Sequence, residues 1–208
     1  MSRLRSFLAA LLLAPAVALG QSFQAGQDYQ VLDEPQATEV EDRVEVREFF
    51  SYACPHCHTF KPLIQSLMDD LGDKAQLVHT PVVFAQGWEP LAKAYFTAES
   101  LGAVSDTHGA LFHAVHIDNR QLGNADAIAE VMAEQGIAEE DFHDAWNSFS
   151  VDADMRRGER IARAYGVRST PTVAVAGRYV VDVRAAGGQE RMVEIIRFLV
   201  EKEYEDAQ

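Results

Sequence analysis

The two cysteines of this 208-residue chain stand three positions apart, as Cys54 and Cys57, with Pro55 and His56 between them. A pair with this spacing on the first turn of a helix can close a disulfide and reopen it without unfolding the chain. The spacing therefore indicates a redox switch. A zinc site with His58 as a further ligand is the alternative, but two cysteines are half of a structural zinc site and no second CxxC exists. We expect no bound metal.

Hydrophobic patterns on both sides of the cysteines predict the elements that hold them. Residues Val44–Phe50 alternate and are rich in β-branched and aromatic side chains, which predicts a strand that ends just before Cys54. Apolar residues at helical spacing follow, up to Gly72, which is suited to end a helix. Residues 76–84 predict a second strand. A strand, a helix and a strand with no room for a hairpin form a βαβ unit with parallel strands.

One acidic residue interrupts the apolar face of the first strand. With a period of two, Glu48 shares a face with Val46 and Phe50. A carboxylate there is poorly solvated, so its pKa should rise. Glu48 is either a proton acceptor or electrostatic tuner near Cys57, or a carboxylate that reaches solvent or pairs with a basic group such as Lys61. We favour the first interpretation.

The N-terminus has the order of a secretory signal peptide. Two arginines precede the apolar run Phe7–Leu13, and small residues follow at Ala18 and Gly20. A membrane anchor that stays in place is the alternative, but the run is short and is followed by Pro15. We expect residues 1–20 to be removed by cleavage near Ala18 to Gly20.

The charge of the chain limits its partners. The formal net charge is −14, and removal of two arginines without any acidic residue takes it to −16. Such a charge argues against nucleic acid or an anionic membrane surface as a partner. Export also changes the interpretation of the cysteines, because thiols tend to oxidise outside the cytosol. A solitary CxxC pair there is a redox centre.

The rest of the chain divides into a helical stretch and a second β-rich half. From Trp88 to about Gly166 the apolar spacing predicts five helices, the fourth from about Phe142 to Phe149, and no strand. Two β-rich runs around Gly177 then predict a hairpin, followed by a final amphipathic helix. The pattern predicts an α/β fold in which a helical insertion separates a βαβ half from a C-terminal ββα half.

Several stretches together resemble the DsbA family of thioredoxin-fold disulfide oxidoreductases. They are Glu48–Cys57 (EFFSYACPHC), Asp144–Phe149 (DAWNSF), Gly166–Arg168 ahead of Thr170-Pro171, and Gly177–Tyr179. The resemblance implies a thioredoxin-like domain over residues 21–87 and 159–208, and an inserted helical domain over residues 88–158. The chain departs from the family pattern at Lys61, where an acidic residue is expected, and at Thr170, where an aliphatic residue is expected.

The resemblance also assigns roles to the CxxC segment. Cys54 and Cys57 are the catalytic pair, tuned by Pro55, His56 and Glu48. Cys54 at a helix start is expected to have a lowered thiolate pKa, with His56 as a nearby donor, while Cys57 is the more buried, resolving thiol. A low pKa stabilises the reduced form and makes the disulfide an oxidant; DsbA itself is the known example of both properties.

Thr170 and Pro171 are the expected substrate-binding residues. The resemblance implies that Pro171 follows a cis peptide bond and faces the CxxC pair, so that the Thr170 backbone can pair with an extended peptide. An ordinary trans proline at the start of a strand is the alternative.

The expected activity is that of a periplasmic dithiol oxidase that donates its disulfide to newly exported proteins. Its partners would be reduced, unfolded secreted proteins and a DsbB-like inner-membrane reoxidant, with no cofactor beyond the disulfide, no insertion into the membrane, and a monomeric state. A disulfide isomerase or reductase is the first alternative. A non-enzymatic peptide-binding module with a structural disulfide is the second.

Two further groups of residues have structural interpretations. Three histidines fall in one predicted helix and are expected on a solvated face: His108, His113 and His116. Three aromatic residues are expected in the core of the helical domain: Trp88, Trp146 and Phe149.

Overall fold

A computed structural model describes residues 23–207, so the predicted signal peptide lies outside the described residues. The strands are β1 (Gln30–Val31), β2 (Val44–Phe50), β3 (Ala75–Pro81), β4 (Thr172–Val175) and β5 (Tyr179–Asp182). The helices are α1 (Pro55–Leu71), α2 (Glu89–Ser100), α3 (Val104–His116), α4 (Ala125–Glu134), α5 (Glu139–Trp146), α6 (Phe149–Ala164), α7 (Val183–Ala186) and α8 (Gln189–Asp206).

The five strands described within residues 23–207 form one sheet in the order β1-β5-β4-β2-β3. Strands β2 and β3 are parallel, and their register places Glu48 beside His79. The pairs β2–β4, β4–β5 and β1–β5 are antiparallel. The βαβ half, the helical stretch and the C-terminal hairpin with its helix follow in the predicted order, which confirms the expected fold class.

Two predicted boundaries are wrong. The strand predicted over residues 76–84 ends at Pro81, because its partner β2 ends at Phe50, the residue opposite Pro81. The helix predicted from Phe142 to Phe149 ends at Trp146. The hydroxyl of Ser148 accepts a hydrogen bond from the Val151 N–H and caps a new helix, α6.

The described part of the chain has three apolar clusters arranged around the sheet. Helices α1 and α8 pack on one face, around Val46 and Val173. The end of α6 packs on the other face, around Phe49. The third cluster joins α2–α5 to Phe50 and to both cysteines. The helical stretch therefore meets the sheet where β2 ends and the CxxC segment begins.

The division into domains stays a prediction. Helix α6 runs from Phe149 to Ala164, across the predicted boundary at residue 158. None of the helices within residues 23–207 combines the length and the apolar character needed to cross a membrane.

Candidate active site

The two cysteines lie at the N-terminus of α1. Cys54 is the N-cap residue and Cys57 lies on the first turn, with Pro55 at the first helical position. Both are free thiols in this structure. Cys54 is 6% exposed and Cys57 is fully buried, which confirms that Cys57 is the more buried thiol. A partner can therefore reach the pair only at Cys54.

The surroundings of Cys54 favour its thiolate. A hydrogen bond from the Cys57 thiol is the largest cause that lowers the pKa of Cys54, to about 5. Partial burial opposes it, while the Thr170 side chain and the backbone N–H groups of Cys57 and His56 add to it. The sequence predicted the direction from the helix start, but it did not identify the second thiol as the main donor.

Cys57 has the opposite character. Burial is the largest cause that raises the pKa of its thiol, and the hydrogen bond to Cys54 and the charge of Glu48 add to it. One cysteine is thus held as a thiolate and the other as a thiol. This asymmetry suits a pair in which one sulfur exchanges with a partner and the other closes the disulfide.

Glu48 is buried beneath the pair, as predicted. Burial raises the pKa of its carboxyl to about 8, the charge of Cys54 adds to the rise, and Lys61 opposes it. Its carboxylate makes no ion pair with Lys61 in the described part of the chain. It lies instead 3.5 Å from Nε2 of His79. Near pH 7 the carboxyl therefore holds a proton next to the buried thiol.

The loop before β4 brings Thr170 to Cys54. The Thr170–Pro171 peptide bond is cis, which confirms the prediction. The sulfur of Cys54 lies 3.6 Å from the carbonyl oxygen of Thr170, although 116 positions separate the two residues. Thr170 is partly exposed and Pro171 is buried.

The start of α8 supports the CxxC turn from the side. Pro55 and His56 are both exposed. The side-chain amide of Gln189 donates a hydrogen bond to the His56 carbonyl, at 2.6 Å, and its oxygen accepts one from the Thr59 hydroxyl, at 3.1 Å. Sequence reasoning missed Gln189, because nothing local links the last helix to the first.

The prediction of a solvated histidine face is wrong for two of its three members. His113 is exposed, but His108 is buried at 8% exposure and its Nδ1 lies 3.0 Å from the Tyr52 hydroxyl. Nε2 of His116 lies 2.8 Å from the Tyr52 carbonyl oxygen. Helix α3 turns these side chains toward the end of β2, and the spacing of the three histidines did not show which side faces the core.

The aromatic prediction is correct for Trp88 and Trp146, which are partly buried against the helical cluster. It is wrong for Phe149, which is 81% exposed. Phe149 opens α6, and the Arg156 guanidinium lies 5.6 Å from its ring centre. The described residues contain no group of three or more metal-binding side chains close enough to hold an ion.

Comparison with known proteins identifies relatives along most of the chain. Residues 45–195 match the sequence model of the DSBA-like thioredoxin domain. The thiol:disulfide interchange protein DsbA of Pseudomonas aeruginosa is 32% identical over 205 residues, which cover 96% of this chain and 97% of that protein. The DsbA of Pseudomonas syringae pv. tomato is 28% identical over 198 residues, which cover 95% and 92%.

Solved structures lead to the same family. The crystal structure of Pseudomonas aeruginosa DsbA superimposes with a TM-score of 0.82 at 33% identity, over 89% of this chain and 96% of that one. The oxidoreductase DsbA from Xylella fastidiosa superimposes with a TM-score of 0.80 at 28% identity, over 86% and 97%.

Proposed function

We propose that this chain, which belongs to the DsbA family of thioredoxin-fold proteins, works as a dithiol oxidase that donates a Cys54–Cys57 disulfide to newly exported proteins. Membership of the family makes the chain a protein thiol:disulfide oxidoreductase that uses its own cysteine pair. The direction of electron flow and the roles of the site residues are the proposal.

The lowered pKa of Cys54, about 5, is the observation that supports the oxidase direction. A thiolate held below the ambient pH stabilises the reduced enzyme, so its disulfide accepts electrons readily. At pH 7 the effect is roughly 2 kcal/mol once solvent screening is allowed for. For a two-electron couple this corresponds to about 40 mV toward a more oxidising potential.

The reaction is a pair of thiol–disulfide exchanges. A substrate thiolate attacks the sulfur of Cys54, the Cys54–Cys57 bond breaks, and Cys57 leaves with the electron pair. A second substrate thiolate attacks the substrate sulfur of the mixed disulfide, and Cys54 leaves as a thiolate. Two electrons pass from the substrate thiols to the enzyme pair, which must then be reoxidised.

Glu48 and the Thr170 loop support different steps of this exchange. Cys57 leaves as a thiolate although its pKa is raised, so it takes a proton, and the carboxyl of Glu48 holds one nearby. The Thr170 backbone, beside the Cys54 sulfur, pairs with the extended substrate peptide. Pro55 and His56 shape the exposed rim that the substrate meets.

The partners and the compartment follow from this role. The substrates are reduced, unfolded secreted proteins, and a DsbB-like inner-membrane protein reoxidises the pair. The enzyme works as a monomer in the periplasm, after its signal peptide is removed. The predicted signal at residues 1–20 and the DsbA relatives support this placement.

The redox equilibrium of the Cys54/Cys57 pair against glutathione buffers tests the direction. We expect a potential well above the −270 mV or so of thioredoxin, toward about −120 mV, the value known for DsbA itself. A potential at or below that of thioredoxin would leave a reductase or a structural disulfide. Cys57→Ala is the companion variant: it should trap mixed disulfides with thiol peptides and raise the pKa of Cys54, because it removes the main donor.

A further inference from the structure

A chain of polar side chains runs from the buried carboxyl of Glu48 toward α3, and the proposed exchange does not use it. The carboxylate lies 3.5 Å from Nε2 of His79, a close approach that is longer than an ordinary N–H···O hydrogen bond. The ring centroids of His79 and His108 are 4.5 Å apart. Beyond them, Nδ1 of His108 lies 3.0 Å from the Tyr52 hydroxyl.

Along this row of polar side chains, exposure to solvent increases from Glu48 to His79. The side chain of Glu48 is 3% exposed, whereas that of His79 is 17% exposed. His79 therefore contacts both the buried carboxyl and solvent. Since β2 and β3 pair in register at these two residues, the sheet backbone fixes their separation.

The buried site needs such a route. Cys57 is fully buried, and its thiol gains a proton when the enzyme is reduced and loses it when the enzyme is oxidised. Glu48 can pass that proton on, but its own ionisation depends on the charge of Cys54, which is present as a thiolate only in the reduced enzyme. A proton must therefore enter from solvent in one half of the cycle and leave in the other.

We propose that His79 is the group through which the carboxyl of Glu48 exchanges its proton with solvent, and that His108 holds the His79 ring in place. Because His79 acts through Glu48, it is a positioning residue rather than a catalytic one. The proposal deepens the proposed redox function and rests on it, but it does not depend on the oxidase direction.

The proton transfer balances without any further reactant. After Glu48 has given its proton to the departing Cys57 thiolate, one nitrogen of neutral His79 gives a proton to the carboxylate while its other nitrogen takes one from solvent. No electron moves, and the imidazole ends as the other tautomer. When the Cys57 thiol is oxidised, the transfer runs in reverse and restores the first tautomer.

The surroundings keep both histidines neutral, as this transfer requires. Burial lowers the pKa of His79 to about 4 and that of His108 to about 2, and the charge of Lys61 adds to both shifts. The polar groups that face Glu48 or His79 are Cys54 at the cap of α1, Cys57 and Lys61 of α1, His108 of α3, and Tyr52 of the loop after β2.

Lys61 is the competing route. Its side chain is partly exposed, and its ammonium reaches α3, since a Cβ placed on Gly109 would lie 3.8 Å from the Lys61 nitrogen. It makes no contact within 4 Å of the Glu48 carboxylate in the described part of the chain, whereas His79 does. Distance therefore favours His79.

The test measures the rate of single-turnover disulfide exchange by the purified enzyme, in dilute buffer that does not itself transfer protons. Samples are quenched with acid, their thiols are alkylated, and the alkylated thiols are counted by mass. Both directions are measured: reduction by a dithiol peptide and oxidation by glutathione disulfide. We expect His79→Gln to slow both by on the order of tenfold, below the hundredfold or more typical of a group that acts on the reacting atom itself. Added imidazole should restore the rate, which a merely structural loss would not allow.

His113→Gln is the matched control, because His113 lies on α3 with its side chain 61% exposed and should leave both rates unchanged. An unchanged rate in His79→Gln overturns the proposal, as does a loss that imidazole does not restore. A restorable loss in Lys61→Met but not in His79→Gln assigns the route to Lys61 instead. If His79→Gln fails to fold, His108→Gln decides: a restorable loss supports the proposal, and none overturns it.

Failure of the proposed function gives a different result. In that case the wild-type enzyme itself exchanges slowly with thiol peptides, or its potential is not oxidising. Normal wild-type exchange together with unaffected His79 variants removes only the proton route.

Discussion

Strand β2 carries two buried carboxylates on opposite faces, Glu45 and Glu48, and the fold surrounds them differently. Glu45 accepts hydrogen bonds from Arg47, at 2.9 Å, and from the Glu39 N–H, at 2.6 Å. Arg47 also reaches the Glu39 carboxylate and the Thr80 hydroxyl, each at 2.9 Å. Glu48 has only a neutral imidazole beside its carboxylate among the described basic side chains.

The difference separates a structural buried charge from one suited to chemistry. A buried ion is tolerated when paired and hydrogen-bonded, and removing one partner is then costly. An unpaired buried carboxyl instead raises its pKa and keeps its proton. The face of β2 with Arg47 pairs its charges toward α6, while the face with Glu48 holds a buried carboxyl with a raised pKa.

The largest expected effect is on the paired face. Arg47→Met leaves Glu45 buried without its cation, which should lower the free energy of unfolding by about 3–5 kcal/mol. Urea denaturation measures it. Arg157→Ala is the matched control: Arg157 bonds the same Glu39 at 2.8 Å but is 52% exposed, so it should cost under about 1 kcal/mol. Equal losses in the two variants would remove the distinction between paired and peripheral charge.

Glu48→Gln should change the free energy of unfolding in the opposite direction, by raising it. The folded protein holds the Glu48 proton up to a pKa of about 8, against an ordinary 4.5, so the reduced wild type loses stability as the pH rises through this range. The variant lacks that loss and should be more stable by about 3 kcal/mol at pH 7, with almost no difference near pH 4.

Glu45→Gln is the control for this sign, since it weakens the pair with Arg47 and should destabilise the protein at pH 7. Denaturant unfolding of both variants at pH 4 and pH 7 measures these changes in stability. If Glu48→Gln is no more stable than the wild type at pH 7, then neighbouring groups stabilise the ionised Glu48 carboxylate in the wild-type protein.

The thiol pair gives a smaller, redox-linked effect. In the reduced protein the pKa of Cys54 is about 5, against an ordinary value of 9.0, so the thiolate stabilises the fold at pH 7 and this gain is lost as the pH falls through about 5. Relative to Cys54→Ala, the gain should be roughly 2 kcal/mol at pH 7 after allowance for screening. Thermal unfolding of the reduced proteins across this range measures it, and a pH-independent difference would contradict the low pKa.

Lys61→Met should have the smallest effect. Lys61 lowers the pKa of Glu48, so its removal should raise that pKa above about 8 and leave Glu48 still more isolated. The change in stability should stay under about 1 kcal/mol, because Lys61 is partly exposed. Carbon-13 NMR titration of the Glu48 carboxyl measures the shift. A fall in the pKa would show that Lys61 does not act on Glu48 as a counter-charge.

Local chemistry was readable from the sequence at several positions. The spacing of Cys54 and Cys57, the proline between them and the strand ahead of them all act within a few residues, so pattern alone predicted the helix start and the lowered thiol pKa. Period two likewise predicted that Glu48 is buried with a raised pKa. The family resemblance added what the patterns did not contain, including the cis bond before Pro171.

Packing between distant elements decided the rest. The parallel register sets His79 beside Glu48, the loop before β4 brings Thr170 to Cys54, and α3 turns His108 inward while Phe149 is left exposed. Helical or strand periodicity predicts which faces are apolar, but it does not say which element covers them. Local pattern is therefore enough to predict a redox pair next to a buried acid. The groups that surround this acid belong to strands and helices that meet only in the folded protein, so no local pattern identifies them.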